Sequence, residues 1–344
     1  MCTVHNKGVR RAQLDSSRFP VEDGPGCGGS GRIIRVGKRV LALGDVNMDL
    51  VFTGLDRLPS AEQETLAQGL ELIVGGQTAT VARAMSRLGL AVRFVGRVGD
   101  DEYGRAAVQA LRAAGVGVSG VVVDPLLRTG ATVVLSTGTE RTYVTFPGSA
   151  AQARRSDVTE EDLSGADHLH VGSYYLQSAL RPELPDLFRE AERRGLTTSL
   201  DPGWDPSREW RRDIQEVLPH LDVFLPNEAE AMGITGARTP EEALQALSGR
   251  CRTTVVKMGA AGCIAAGSGE VCRRPAFQVR VLDVTSAGDI FDAGFLYGFL
   301  NGRGLAESLR FASACGAIAV ARAGASGIVT GVDQVEEFLN GHKG

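Results

Sequence analysis

Lysine is scarce in this chain. Lys7, Lys38, Lys257 and Lys343 are the only four among 344 residues, so the 37 basic side chains are nearly all arginine, and Lys257 in the apolar stretch TTVVKMG stands out. Long apolar runs are missing too. Nothing approaches the roughly 20 residues that a membrane-spanning helix requires, and the opening MCTVHNKGVRRAQLD lacks the apolar centre of a secretory signal. Cys2, Cys27, Cys251, Cys263, Cys272 and Cys315 show no C-x-x-C spacing, which argues against a thiolate zinc site and for a reduced, cytosolic setting. Charge of one sign is also lacking, with 41 acidic against 37 basic residues and a net charge of -4. That balance argues against a nucleic-acid-binding or anionic-membrane surface. What is present, 43% hydrophobic and 23% charged residues, is ordinary for a globular protein, and the length suits one large domain with an insert, or two domains.

Residues 1 to 35 carry no apolar periodicity and include VEDGPGCGGSG, where ordering costs backbone entropy with little to bury. They read as a flexible N-terminal extension outside the fold, and residues 36 to 344 as the folded domain. From Lys38 the pattern changes. RVLALG is a short buried strand, strand-like pieces follow at 48 to 53 and 66 to 73, and QTATVARAMSRLG puts Val81, Ala84, Met85 and Leu88 on one helical face with Gly89 as the stop. Next come a strand at 92 to 95, a helix at 103 to 113, and strands near 118 to 123, 131 to 136 and 142 to 146, read as antiparallel because short turns join them. In the second half HLHV, LTTSL, DVFL and TTVVK alternate with helical stretches near 183 to 194, 207 to 217 and 240 to 248. That is a βα repeat, which predicts a mostly parallel sheet covered by helices on both faces. A hairpin over 262 to 272 and helices near 288 to 300, 304 to 321 and 332 to 340 close the chain.

The stretch VLDVTSAGDIFDAGFLYGFL, residues 281 to 300, carries the most chemistry. Ser286, Ala287 and Gly288 precede Asp289 and a helix through Phe291, Phe295 and Phe299. Unpaired N–H groups at a helix start attract an anion together with the dipole, and small side chains let a polyphosphate come close. An aspartate there is placed to take a proton from an alcohol attacking phosphorus. It serves equally as an ordinary cap, and spacing alone favours the cap. Asn227 and Glu230, i and i+3 at another helix start, are open to two readings, a hold on magnesium-bound water and a capping box. Gly259 and Gly262 suit a tight turn in any fold. Asn47 and Asp49, in a segment after a strand, suit an ordinary turn. Arg141, Tyr143 and Phe146 are candidates for one wall of an acceptor pocket. His168 and His170, alternating in a strand, are read as one inward and one outward side chain, and Trp204 and Trp210 as packing or rim residues.

DVTSAGDIFDAGF resembles the C-terminal signature of the ribokinase or PfkB carbohydrate kinase family, D-T-x-G-A-G-D-x-F-x-x-G-F. Gly75-Gly76-Gln77-Thr78-Ala79-Thr80-Val81-Ala82 through Arg87-Leu88-Gly89 resembles its other signature, a glycine pair opening a helix that ends R-L-G. GRVGDDEYG, Asp201-Pro202, LPNEAEA and VVKMGAAGC stand between them in the family's order, so the likeness spans about residues 38 to 340. The resemblance implies an α/β fold, a ribokinase-like three-layer sandwich with a mostly parallel central sheet and a small antiparallel β lid from segments 46 to 74 and 118 to 146. It implies ATP-dependent phosphorylation of a hydroxyl of a sugar or sugar derivative, with Asp289 as general base and Ser286, Ala287, Gly288 and the Asp289 amide as an anion hole.

By the same resemblance Lys257, Gly259 and Gly262 line the nucleotide, Ser313 lies near the base, and Asn227 and Glu230 hold magnesium through water. Asp49, Asn47, Gly75, Gly76 and Thr80 face the acceptor, with Phe146 added on its wall. Asp283, Thr285, Ala319, Arg322 and Gly324 match a potassium site beside the anion hole. ATP and Mg2+ are therefore the expected cofactors, with K+ a further one, and a homodimer through the lid is the expected assembly. The partner is a small-molecule sugar or related alcohol, with no nucleic acid and no membrane. Val284 and Ser286 depart from the signature, and Thr80 replaces an asparagine common in that helix, so the sugar's identity does not carry over. The alternatives are a nucleoside kinase of the same fold, which an aromatic wall around Tyr143 or Phe146 would favour, and a catalytically silent sugar-binding protein.

Overall fold

Val40 and Ala42 pack on one face of the strand Arg39–Leu43, Leu41 and Leu43 on the other, and all four are buried. A strand buried on both faces belongs inside a sheet that is covered twice. The computed structural model, which describes residues 10–11, 37–137, 141–210, 213–322 and 328–342, bears this out. Its strands are β1 (Arg10–Arg11), β2 (Arg39–Leu43), β3 (Asn47–Thr53), β4 (Gly69–Gly75), β5 (Ala91–Gly99), β6 (Gly117–Asp124), β7 (Gly130–Ser136), β8 (Arg141–Phe146), β9 (His168–Val171), β10 (Thr197–Leu200), β11 (Val223–Phe224), β12 (Thr253–Lys257), β13 (Cys263–Gly267) and β14 (Glu270–Arg274). Its helices are α1 (Gln77–Arg87), α2 (Glu102–Ala113), α3 (Glu160–Ser164), α4 (Leu184–Arg193), α5 (Ile214–Val217), α6 (Glu228–Thr235), α7 (Pro240–Leu247), α8 (Ala287–Leu300), α9 (Leu305–Val320) and α10 (Val332–Gly341).

The large sheet runs β1-β6-β5-β2-β9-β10-β11-β12-β13-β14, parallel from β6 through β12 and antiparallel at both edges. One apolar core lies between it and α1, α2, α8, α9 and α10, and a second between it and α3 to α7. This is the three-layer sandwich expected. A small sheet, β4-β3-β7-β8, stands apart, with β3 central. Two of its pairings are antiparallel, and β3 with β7 is parallel.

Four expectations are corrected. β6 joins the main sheet parallel to β5, so the second lid segment begins at Gly130, not near residue 118; α2 supplies the crossover a parallel neighbour needs. Part of the extension belongs to the fold, because Arg10 and Arg11 pair with Val123 and Val122 and Arg11 Nη2 donates to the Asp157 carbonyl. The helix over 207 to 217 shortens to α5, since the Asp205 carboxylate accepts from the amides of Ser207 and Trp210 and competes with helical pairing. His168 and His170 share a face, as residues two apart on a strand must. Both are buried on Ser199 Oγ, and burial pushes their imidazoles down to about 3 and about 4.

Register sorts the small sheet into two faces. Asp49, Thr132 and Thr145 are cross-strand partners, so they share a side with Asn47, Val51, Tyr143 and Arg141. The opposite side carries Leu50, Phe52, Leu70, Leu72, Val144 and Phe146, of which the last four are exposed. Phe146 therefore faces away from Asp49, which corrects its placement on the acceptor wall. Among the described residues no helix is long and apolar enough to cross a membrane.

Candidate active site

Parallel strands bring their carboxyl ends to one edge of a sheet, where crossovers leave a crevice. Here that edge receives Asp45 after β2, Ser173 after β9, Asp201 after β10, Asn227 after β11 and Lys257 at the end of β12. A cavity of about 690 Å3 opens there, lined by Asp201, Asn227, Glu230, Lys257, Gly288 and Asp289 among others.

Asp289 is the third residue of α8. Ser286, just before the helix, has φ 58° and makes no side-chain cap. A residue with a Cβ in this left-handed region costs about 1 to 2 kcal/mol, so the serine keeps the turn that glycine would take more easily. The Ala287 amide donates to the Val284 carbonyl at 3.3 Å. The next amides, Gly288 and Asp289, belong to the first turn, whose donors have no partner within the helix. The loop hangs from α9, with the amides of Leu282 and Asp283 donating to the Val320 carbonyl at 2.7 and 3.2 Å. Burial holds the Asp289 carboxyl well above the usual range, the charges of Asp201, Asp45 and Asp49 add to the rise, and Lys257 opposes it.

Lys257 lines the cavity with Gly259, Gly262 and Ser313, and two carboxylates hold its ammonium. Its Nζ donates to Asp201 Oδ2 at 2.5 Å and to Asp292 Oδ1 and Oδ2 at 3.0 and 2.9 Å, and both carboxylates are buried. The ammonium is thus committed beneath the loop, 3.8 Å from where a Cβ on Gly288 would lie. Its pKa is driven up: burial alone would lower it, but Asp201 and Asp292 prevail. Asp201 is held low against burial, chiefly by Lys257, while burial pushes Asp292 well up.

Asn227 and Glu230 form a reciprocal cap at the start of α6: the Asn227 amide donates to Glu230 Oε2 at 2.8 Å and the Glu230 amide to Asn227 Oδ1 at 2.9 Å. Both also line the cavity. Burial first, then the charge of Asp201, pushes Glu230 up to about 8. Among the described residues no three His, Cys, Asp or Glu side chains gather to hold a metal. Magnesium keeps most of its water and takes phosphate oxygens, so it needs no cluster of three side chains, and the Asn227 and Glu230 oxygens at the cavity suit a hold through water.

On the acceptor side Asn47 Nδ2 donates to Asp49 Oδ1 at 2.8 Å and to Thr132 Oγ1 at 3.0 Å. Burial pushes Asp49 up to about 6 against that hydrogen bond, with Asp45 adding to the rise. A Cβ on Gly75 would overlap the Asp49 carboxylate, with Oδ1 at 2.6 Å, so glycine is required there. Gly76 lies under Asp45 and Val46, and Asp45 accepts from the amides of Gln77 and Thr78, capping α1 from another element. Thr80 is buried within α1 and does not line the cavity.

The far end of the cavity is lined by Gly259, Gly262, Phe277, Ser313, Gly316 and Val320. Gly262 has φ 92°, and a Cβ there would overlap the Arg274 carbonyl and stand 2.7 Å from Ala276 N, so the turn demands glycine. The segment Ala276 to Val279 lines the cavity unannounced by any motif, and Gln77, given no role of its own within the glycine-pair signature, lines it too. Asp201 was visible only as part of a dipeptide.

The residues matched to potassium do not fit such a site. Arg141 Nη2 donates to Asp283 Oδ1 at 2.6 Å, and Arg141 Nη1 donates to Thr285 Oγ1. The expected ligand carboxylate already holds a cation, and Arg141 lies here and not on the acceptor wall. The Ala319 carbonyl accepts from the Arg322 amide at 3.2 Å. Gly324 lies outside the described residues.

Residues 38–330 match the family described as pfkB family carbohydrate kinase. A Bacillus subtilis ribokinase is 31% identical over 309 residues, which cover 88% of this chain and 100% of that protein. An ATP-dependent ribose-1-phosphate kinase of Halopiger xanaduensis is 30% identical over 305 residues, 88% of this chain and 98% of its own. Among solved structures, a Xylella fastidiosa fructokinase with bound ATP is similar at TM-score 0.77 and 25% identity, covering 89% of this chain and 99% of that one.

Proposed function

The chain belongs to the pfkB family of carbohydrate kinases, and on that premise we propose that it transfers the γ-phosphoryl group of ATP to a hydroxyl of a sugar or sugar derivative, with Asp289 as general base. The observation that carries this reading is the Asp289 carboxyl at the first turn of α8, raised by burial and near enough to Asp49 and Asp45 to feel their charges. The acceptor lies over Asn47 and Asp49, whose carboxylate takes hydrogen bonds from its hydroxyls and rejects a ligand lacking them. Asp289 removes the proton of the attacking hydroxyl. The amides of Gly288 and Asp289, with the helix dipole, stabilise charge on the transferring group, which matters because that transition state offers side chains little covalent chemistry. Asn227 and Glu230 would hold magnesium, which would supply positive charge to the phosphates. Gly259, Gly262 and Ser313 line the nucleotide end.

The outward position of Phe146 removes part of the aromatic wall that a nucleoside kinase would want. The exposed apolar side of the small sheet supports a homodimer formed through that side. The test of the chemistry is Asp289→Asn. Its turnover falls roughly 10² to 10⁴-fold while ATP and acceptor still bind. In the wild type, turnover falls as pH drops through the raised pKa of Asp289, above the ordinary carboxylate range, because the base must be ionised. An ADP-release screen across hexoses, pentoses, sugar acids and nucleosides supplies the acceptor, and a folded D289N with wild-type turnover would remove Asp289 from this role.

A further inference from the structure

Arg141 crosses from the small sheet to the loop that precedes α8. It starts β8 on the side shared with Tyr143 and Thr145. Asp283 Oδ1 accepts both from Arg141 Nη2, at 2.6 Å, and from the Thr285 amide, at 2.7 Å, so the guanidinium and the turn share one oxygen. Arg141 Nη1 reaches the Thr285 hydroxyl as well. The next residue, Ser286, takes the left-handed conformation from which α8 begins. The arginine and aspartate side chains are only 21% and 16% exposed, so water screens the pair less than it screens surface ion pairs. A planar fork held at two residues also fixes direction, which an ammonium or a free ion does not.

We infer that Arg141 is a positioning residue for phosphoryl transfer: a tethered cation from the lid that neutralises Asp283 and fixes the turn presenting the α8 amides and Asp289. Its catalytic consequence rests on the kinase reading, whereas the coupling between positions 141 and 283 does not. A cation built into the chain makes turnover indifferent to which monovalent ion is in the buffer. Loss of Arg141 removes the guanidinium from Asp283 and the Thr285 hydroxyl and lets the turn relax, so kcat falls. The Michaelis constants change little, since the nucleotide and acceptor contacts lie elsewhere.

The experiment compares wild type, R141K, R141A, D283N and the double variant R141A/D283N by ADP release and thermal unfolding. Expected for R141A is a roughly 10 to 100-fold loss in kcat, with KM for ATP within about threefold of wild type. Guanidinium chloride at about 50 mM restores several-fold of that loss in R141A and none in wild type, by returning the missing charge to Asp283. R141K retains part of the activity, and the double variant is no worse than the worse single, as expected for residues acting as a unit. Wild-type turnover in R141A, additive losses in the double variant, no rescue by guanidinium, or several-fold activation of wild type by potassium over sodium at equal ionic strength each overturns the inference. If wild type phosphorylates no acceptor in the screen, the kinase reading fails, and the unfolding midpoints decide the rest. Non-additive losses at 141 and 283 then support the tether, and additive losses refute it.

Discussion

Replacing Lys257 by methionine tests the charge arrangement under the loop that precedes α8. The side chains of Asp201 and Asp292 are 1% and 0% exposed, so once the ammonium is gone neither carboxylate can recruit water in its place. Removing one partner of a buried pair costs about 3 to 5 kcal/mol. At about 2 to 4 °C per kcal/mol for a domain of a few hundred residues, the unfolding midpoint falls by roughly 6 to 20 °C. The pH dependence carries the sharper information. In the wild type Asp201 is held low by Lys257, so its contribution is present above the ordinary carboxylate pKa and is lost as pH falls through the folded value. In the variant both carboxyls are raised by burial, and the protonated forms fold better. Acidification from pH 8 to 5 therefore narrows the gap between variant and wild type. Melting curves by circular dichroism across that range measure it, with Asp292→Asn, which keeps the Lys257–Asp201 pair intact, as a milder control. A variant midpoint within about 2 °C of wild type at pH 8, or a gap that widens on acidification, would refute the reasoning.

Gly75→Ala drives a Cβ into the Asp49 carboxylate, so the KM for the acceptor rises roughly tenfold or more while ATP affinity by calorimetry stays within about twofold. Leu72→Glu puts a charge on the exposed apolar side of the small sheet and, on the proposed homodimer, weakens association by about tenfold or more in sedimentation equilibrium, an estimate resting on the cost of burying an unpaired charge. Val51 faces the other way and is buried, so a charge there harms folding instead and separates the two faces.

The readings that came out of the sequence share one property: each depends on residues close together along the chain. Period-two and βα patterns located β2, β9, β10 and β12, because an apolar strand between turn residues is a local statement. The ends of α8, α9 and α10 followed from helical periodicity. The same locality explains the misses. β6 looked antiparallel because only its turn, and not its partner β5, was visible. Trp204 and Asp205 stood next to a pattern that resembled a helix until the Asp205 carboxylate captured its amides.

By itself, then, the chain's order of residues determined the α/β class, the family motifs, and the helix starts, caps and glycine turns, since these are written within a few residues of one another, while the roles expected of Asp289, Asn227, Glu230, Gly75 and Asp49 came from the resemblance those motifs carry. Only the tertiary structure decided where their charges go. Lys257 meets Asp201 across 56 positions, and Arg141 meets Asp283 across 142. Arg10 and Arg11 find β6 more than a hundred residues on. Phe146 turned outward because strand parity is counted from a register that β7 sets. Ion pairs and pleat direction depend on which strand lies beside which, and one-dimensional spacing holds no record of that.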